Sequence, residues 1–391
     1  MRGYHPPVVH VTYPGVYVEE LPAGVKAIEG VPTSTAAFVG SGAAGPVDTA
    51  VPIHSLADFE RAFGPAAETD PLRRAIQLFL ENGGTDALVV RVDGAAGPEP
   101  SVAAGLQALD GIERFDFLCL SGLYADTSPT GIPQIAAALE AASRYCARRS
   151  AILIIDPLPG WQAADDVVSG PASIDAITTG VQRENAIAFY PNLLVATPSG
   201  PEPSAPSGAI AGVFARTDGA RGVWKAPAGE ESAIRGAVGL ASPISTADAS
   251  ALRHGGVNTI RELPAGIVPW GARLLSGLTR GDPEWKYVNI RRLLIYLERS
   301  IDQGLTWVVF EPNDEPLWAA IRQSVTAFLF ALWREGAFAG RHPGEAYFVR
   351  CGPDTMTQDE IDTGVVNILV GFAPLRPAEF VTFRIHRKPT D

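Results

Sequence analysis

Cysteine is scarce in this sequence: three residues in 391, Cys119, Cys146 and Cys351, far apart and odd in number. That spacing argues against a disulfide framework and against zinc, and it fits reduced thiols in a cytoplasmic protein. Histidine is equally thin. Six of them, at 5, 10, 54, 254, 342 and 386, are scattered outside any metal-ligand spacing, so neither metal nor cofactor is expected. Long apolar runs are missing as well. The most apolar helical stretch, SVTAFLFALW (Ser324 to Trp333), is about half a bilayer span and lies between Arg322 and Arg334, so it reads as a buried helix. The first 25 residues contain prolines and no apolar run of signal-peptide length, and no signal peptide is expected. Positive charge is in deficit. With 31 Lys and Arg against 43 Asp and Glu, the net charge of −12 argues against nucleic acid or an anionic membrane as the main partner.

Catalytic signatures are missing too. There is no G-x-S-x-G elbow and no G-x-x-x-x-G-K-[ST] loop. GSGAAG (Gly40 to Gly45) matches a dinucleotide fingerprint, but Pro46 and the extended VDTAVPI follow where that fingerprint needs a helix, so a Gly-rich loop is expected. A triad assembled from distant residues stays open. Asp156 ends the strand-like LIIDP, a position that α/β enzymes use for catalysis; capping the turn before Pro157 is the expected role.

What is present is a globular composition, 46% apolar and 19% charged, over a length that suits two or three domains. Residues 30–245 alternate apolar strand-like runs with amphipathic helices, which predicts a doubly wound α/β domain with a parallel sheet. SLADFERAFG carries a cap at Ser55 and a stop at Gly64; TDPLRRAIQLFLENGG carries Asp70 as cap and Pro71 at the first helical position. ENAIAFYPNLLVA reads as one strand, and TPSGPEPSAPSG as an exposed loop. Further on, Tyr287, Ile290, Leu294, Leu297 and Ile301 share a helical face, leaving Arg291 and Arg292 to a solvated one. TWVVFEP reads as a strand and VVNILVGFAP as a buried strand. Between them a long helix starts at Asn313-Asp314 and buries Leu317, Ile321, Val325, Phe328, Leu329 and Leu332. TQDE is a capping box.

Both ends alternate. In YPGVYVEELP, Val16 and Val18 face one way and Tyr17 and Glu19 the other; in EFVTFRIHRK, Val381, Phe383 and Ile385 oppose Thr382, Arg384 and His386. Neither run has an obvious local partner, and an unpaired strand is a template for another chain. The basic tail Arg384, His386, Arg387 and Lys388 is either an acidic partner's contact or a solvated end.

Over nearly its whole length the chain resembles the tail sheath proteins of contractile phage tails and related contractile injection systems. The likeness rests on YPGVYVEE, on TSTAAFVG followed by GPVDTAVPIHSLADFERAFG, and on SGAIAGVFARTDGARGVWKAPAG. It continues through DPEWKYVNIRRLLIYLERSIDQGLTWVVFEPNDEPLWAAIRQSV, LWREGAF, TMTQDEID and PAEFVTFRI. The resemblance implies a subtilisin-like middle domain (30–245) without a working protease site. It also implies an α+β carboxyl-terminal core (246–391), an amino-terminal arm (1–29), and end strands that join neighbouring subunits. Polymerisation with itself around an inner tube protein, contact with baseplate and terminator or cap proteins, and assembly in the bacterial cytoplasm follow from the same likeness. Arg322, Arg334 and Arg341 are candidate tube contacts. Gly15, Leu21–Gly24 and Pro374–Pro377 are candidate hinges. The rival expectation is an α/β hydrolase-like enzyme with a site hidden in the fold, which would show a specific pocket and turnover.

Overall fold

A computed structural model of the chain describes residues 26–278 and 285–378. Val16, Tyr17, Val18, Glu19, Val381, Phe383 and Ile385 therefore lie outside the described residues, as do Gly15, Leu21–Gly24 and the basic tail.

In chain order the body begins with β1 (Ala36–Ser41), β2 (Ala50–Ile53), α1 (Leu56–Phe63), α2 (Pro71–Glu81), β3 (Ala87–Val92) and α3 (Pro98–Ala108). It continues with β4 (Phe117–Ser121), α4 (Gly131–Arg148), β5 (Ile152–Ile155), α5 (Ala164–Val168), α6 (Ile174–Ile177) and β6 (Ala186–Tyr190). Then come β7 (Leu193–Thr197), β8 (Gly200–Ser204), α7 (Ser207–Arg221), β9 (Ala237–Leu240), α8 (Thr246–His254), β10 (Val257–Leu263) and β11 (Gly266–Trp270). The last elements are α9 (Val288–Gly304), α10 (Glu315–Arg334), α11 (Pro343–Ala346), β12 (Tyr347–Arg350), α12 (Gln358–Asp362) and β13 (Leu369–Phe372).

Caps act where the sequence places them. The Ser55 hydroxyl accepts from the Asp58 amide at 3.2 Å, and Asp70 accepts from the Arg73 amide at 2.9 Å, each satisfying an amide that has no partner within its helix. Eight strands form one sheet in the order β11-β10-β6-β5-β4-β1-β3-β2. The six from β10 to β3 run parallel, with β2 and β11 as antiparallel edges. Both faces are dry. Ala37, Val39, Leu118, Leu120, Leu153 and Ile155 point into one cluster under α3 and α4. Their neighbours Ala36, Phe38, Phe117, Cys119, Ile152 and Ile154 point into the other, under α2 and α7. Hence these strands are continuous apolar runs. α2 and α7 cross at glycines: a Cβ on Gly208 would stand 2.1 Å from the Ala75 carbonyl, and one on Gly212 2.4 Å from that of Phe79.

Four expectations change. ENAIAFYPNLLVA breaks at Pro191, which has no amide hydrogen to extend a ladder; β6 stays in the large sheet and β7 enters a three-stranded sheet, β8-β7-β9. The expected loop TPSGPEPSAPSG contains β8, an edge strand whose Pro201 and Pro203 need no donor on the open side. TWVVFEP is a short 3-10 turn, Thr306–Val308, followed by exposed Val309 and a fully exposed Phe310 at φ +73°. Only Leu369–Phe372 of VVNILVGFAP is a strand, and Leu369 is half exposed. In addition β10 and β11 complete the large sheet, so the α/β layer runs past residue 245 to Trp270.

α9 ties this layer to the carboxyl region. Arg292 is buried rather than solvated, with 5% exposure. Its guanidinium donates to Asp218 at 2.9 Å and to the Thr33 carbonyl at 2.7 Å, and lies 4.6 Å over the Phe117 ring. The Thr33 hydroxyl donates to Asp218 at 2.7 Å. About two turns further on, Arg299 donates to Asp116 at 2.8 Å, while Asp116 accepts the Thr35 amide at 2.9 Å. The reason is charge pairing: the carboxylates make a position affordable that periodicity alone assigned to water.

Removing Asp218 strands a buried guanidinium. Asp218→Ala should lower unfolding free energy by about 3 kcal/mol in urea titrations, and adding Arg292→Met should recover part of it. An equal loss in both variants would show that the stranded charge is not the cause.

Candidate assembly surface

The carboxyl region is built around α10. Asp314 caps it, accepting the Leu317 amide at 3.2 Å, and Pro316 occupies its first turn. Leu317, Trp318, Ile321, Val325, Phe328, Leu329 and Leu332 bury one face against Ile28, Leu293 and Leu297. All six positions expected in that core are there. The opposite face presents Ala319, Gln323, Thr326, Ala327, Phe330 and Ala331, almost without charge.

The three candidate arginines do not converge. Arg322 is held internally, donating to Glu315 at 2.6 Å and to the Cys351 carbonyl. Arg334 is exposed at the end of the helix; twelve residues place it roughly 18 Å along the axis and about 120° around it from Arg322. Arg341 is exposed beyond the helix, its amide donating to Glu345 at 2.9 Å.

β12 and β13 pair antiparallel, with Tyr347 opposite Phe372 and Arg350 opposite Leu369. Alternation sets two faces. Tyr347, Val349, Val370 and Phe372 turn to the α10 core, and Phe348, Arg350, Leu369 and Gly371 turn outward. The Phe348 ring covers Gly371, where a Cβ would meet it at 2.1 Å, and Arg350 lies 5.6 Å from that ring. Among the described residues this sheet has two strands, so each has an open edge. Sequence reading passed over AYFVR, although its alternation was the available signal. Of the candidate hinges, Pro374 bridges to Phe338, and the Leu375 carbonyl accepts from Asn289 at 3.4 Å.

Asp156 sits far from water at the end of β5. It accepts from the Ser207 amide at 2.8 Å and from the Ser207 hydroxyl at 2.7 Å, so it fastens the start of α7 rather than the turn before Pro157. Burial lifts its carboxyl to about 7, against the lowering pull of the two Ser207 hydrogen bonds. Burial also pushes the Cys119 thiol up, helped by the nearby Asp156. All three cysteines are buried and unpaired with one another.

A family model described as the phage tail sheath C-terminal domain matches residues 281–388. The tail sheath protein of Vibrio phage KVP40 is 30% identical over 125 residues, 32% of this chain and 18% of that protein. The match thus spans under a fifth of the relative's length. Among solved structures, the helical sheath of the anti-feeding prophage in its contracted state is 29% identical with a TM-score of 0.77, covering 97% of this chain and 100% of that one. The sheath complex of an extracellular contractile injection system, PVC, in its contracted state is 25% identical with a TM-score of 0.74, covering 97% and 99%. A sheath tail protein from Desulfitobacterium hafniense, 11% identical at a TM-score of 0.59 over 92% and 100%, shares the fold.

The Asp156 environment has a measurable consequence. Its carboxyl holds a proton to about pH 7 when folded and to 3.8 when unfolded, so the native state binds more protons between those values. This group's stabilisation is complete below 3.8 and is lost as pH rises toward 7. Asp156→Asn, which keeps an acceptor for the Ser207 amide, should flatten that slope between pH 5 and 7.5 in urea titrations. An unchanged slope would assign the dependence to other groups.

Proposed function

We propose that this chain, which resembles contractile sheath subunits over nearly its whole length, is a structural subunit that polymerises helically around an inner tube and contracts to drive that tube through a target envelope. The observation that carries this reading is the end-to-end likeness to contracted sheath subunits, 97% of this chain on 100% of the other.

The terminal runs then have a destination. Val16–Glu19 of one copy and Phe380–Arg387 of another add as strands to the open edges of β12 and β13, with Val16, Val18, Val381, Phe383 and Ile385 setting register. A two-stranded sheet is marginal alone, which supports completion by neighbours. Each contact joins unlike surfaces, so repetition with a rotation and a rise makes a tube of subunits. Gly15, Leu21–Gly24 and Pro374–Pro377 act as hinges between rigid bodies. A preference of a few kcal/mol per subunit for the contracted packing, summed over many copies, drives a one-way switch.

The inner tube protein meets the smooth outer face of α10, with Arg334 foremost among the candidates Arg322, Arg334 and Arg341; Arg322 already serves Glu315. The middle layer is read as a doubly wound, subtilisin-like domain by its parallel sheet with helices on both faces. It has a structural role and no catalytic one, as the engagement of Asp156 by Ser207 supports. Assembly takes place in the bacterial cytoplasm, with baseplate and terminator proteins as partners and neither nucleic acid nor a membrane involved. No described helix is long and apolar enough to cross a membrane.

Electron micrographs of the purified chain should show tubes or rings. A chain lacking residues 1–20 should keep its circular dichroism and thermal unfolding yet stay unassembled. Normal assembly by that truncation overturns the arm reading. Arg334→Glu should weaken co-sedimentation with the inner tube protein without preventing self-assembly.

A further inference from the structure

An open groove of about 840 Å³ lies among the end of α7, α8, β10, β11, the start of α9 and the segment after β13. Its described lining includes six Lys or Arg side chains and one carboxylate, Glu335, in a chain whose net charge is −12. Arg261 and Arg376 form no ion pair among the described residues. Trp224 and Trp270 both line the groove, and Trp270 is 45% exposed.

A second observation is independent of charge. Asn289, only 2% exposed, lines the same groove, and its Nδ2 donates to the Trp224 carbonyl at 2.9 Å and toward the Leu375 carbonyl at 3.4 Å. That leaves Oδ1 as a buried acceptor without a partner. Such an atom keeps its full desolvation penalty unless a donor reaches it. A phosphate diester or a bare carboxylate brings no N–H. An extended acidic peptide brings both carboxylates for the arginines and a backbone N–H for Asn289.

We infer that this groove receives the acidic segment Glu19–Leu21 of a second copy of this chain. Glu19 and Glu20 meet Arg261 and Arg376, Leu21 lies on Trp224 and Trp270, and a main-chain N–H reaches Asn289 Oδ1. The inference rests on the sheath reading and says where the amino-terminal arm makes its charged contact.

Lys26 is anchored 4.8 Å over Trp307, and Ile28 packs at Gly304, both at the carboxyl end of α9. Asn289 lies fifteen residues, or about 22 Å, toward the other end of that helix. From Lys26 the chain's own arm, even fully extended, gains only roughly 23–25 Å by Glu19, so it would have to run taut and straight to reach its own Asn289. A neighbour's arm carries no such constraint, and we assign the segment to a neighbour.

The test uses the full chain and reads assembly by sedimentation and electron microscopy. E19K/E20K and R261E/R376E should each raise the concentration needed for assembly at least tenfold, and the four changes together should restore most of it. Equal thermal unfolding of all variants shows that folding is unaffected; if R261E/R376E fails to fold, R261Q/R376Q serves in its place. A chain with E20C mixed with one carrying W270C should cross-link between copies on oxidation, since the native cysteines are buried. Tubes that persist in R261E/R376E, or a cross-link confined within one unassembled E20C/W270C chain, overturn the inference. A wild-type chain that forms no tubes instead removes the sheath reading on which it stands.

Discussion

Two buried guanidinium–carboxylate pairs on one side of α9 decide where the amino-terminal segment leaves the body. Arg292 with Asp218 holds Thr33, and Arg299 with Asp116 holds Thr35. Farther along, the Val31 amide donates to Ser300 at 3.1 Å. Side chains about two turns apart on one helix thus grip residues 31–35. Charges are expensive to bury, and apolar replacements of the same volume often match their stability. What the pairs add here is direction. A guanidinium with carboxylate and carbonyl partners on fixed sides admits one placement of the strand beside it. In the proposed assembly, an arm pulled by a neighbouring subunit would load α9 and, through Asp218 on α7 and Asp116 before β4, the large sheet itself.

That same helix separates the arm's origin from Asn289. The chain is anchored at Lys26 and Ile28 near one end of α9, and Asn289 lies near the other. An arm returning to its own Asn289 would have to run fully extended, whereas in the proposed assembly a neighbour's arm arrives without that constraint.

The large sheet was legible because its strands are buried on both faces and read as unbroken apolar runs, and because Ser55, Asp70, Asp314 and Thr357 cap helices in their usual positions. Where reading failed, local pattern competed with tertiary context. VVNILVGFAP is apolar enough for a core strand, yet Leu369 faces outward because the sheet has only one covered face. TWVVFEP has the composition of a strand, but Trp307 and Val308 pack against the α10 core while Val309 and Phe310 swing outward. Arg291-Arg292 looked solvated because no window of sequence contains Asp218, seventy-four residues away. The groove was illegible for the same reason: its cations come from the end of α7 and the loop after it, α8, β10, the loop after β11 and the segment after β13, and the overall charge of −12 points the other way.

An assembly that shortens without falling apart needs its contacts sorted by stiffness. In the proposed assembly, contacts made by backbone hydrogen bonds on the β12 and β13 edges would be short-ranged and fix register, so they could not slide by less than a residue pair without breaking. Charge contacts in a wide, wet groove behave differently. Arg261 and Arg376 carry long side chains, and Coulomb attraction across water falls off gently over a few ångströms, so such a contact tolerates displacement. A strand that stays paired while its acidic flank shifts within a basic groove gives a joint that is fixed in one place and compliant in the next. Subunit bodies can then change their spacing with no exchange of strand partners. The rest of the proposed hinge, Pro22–Gly24, lies on the body side of both contacts and absorbs the movement.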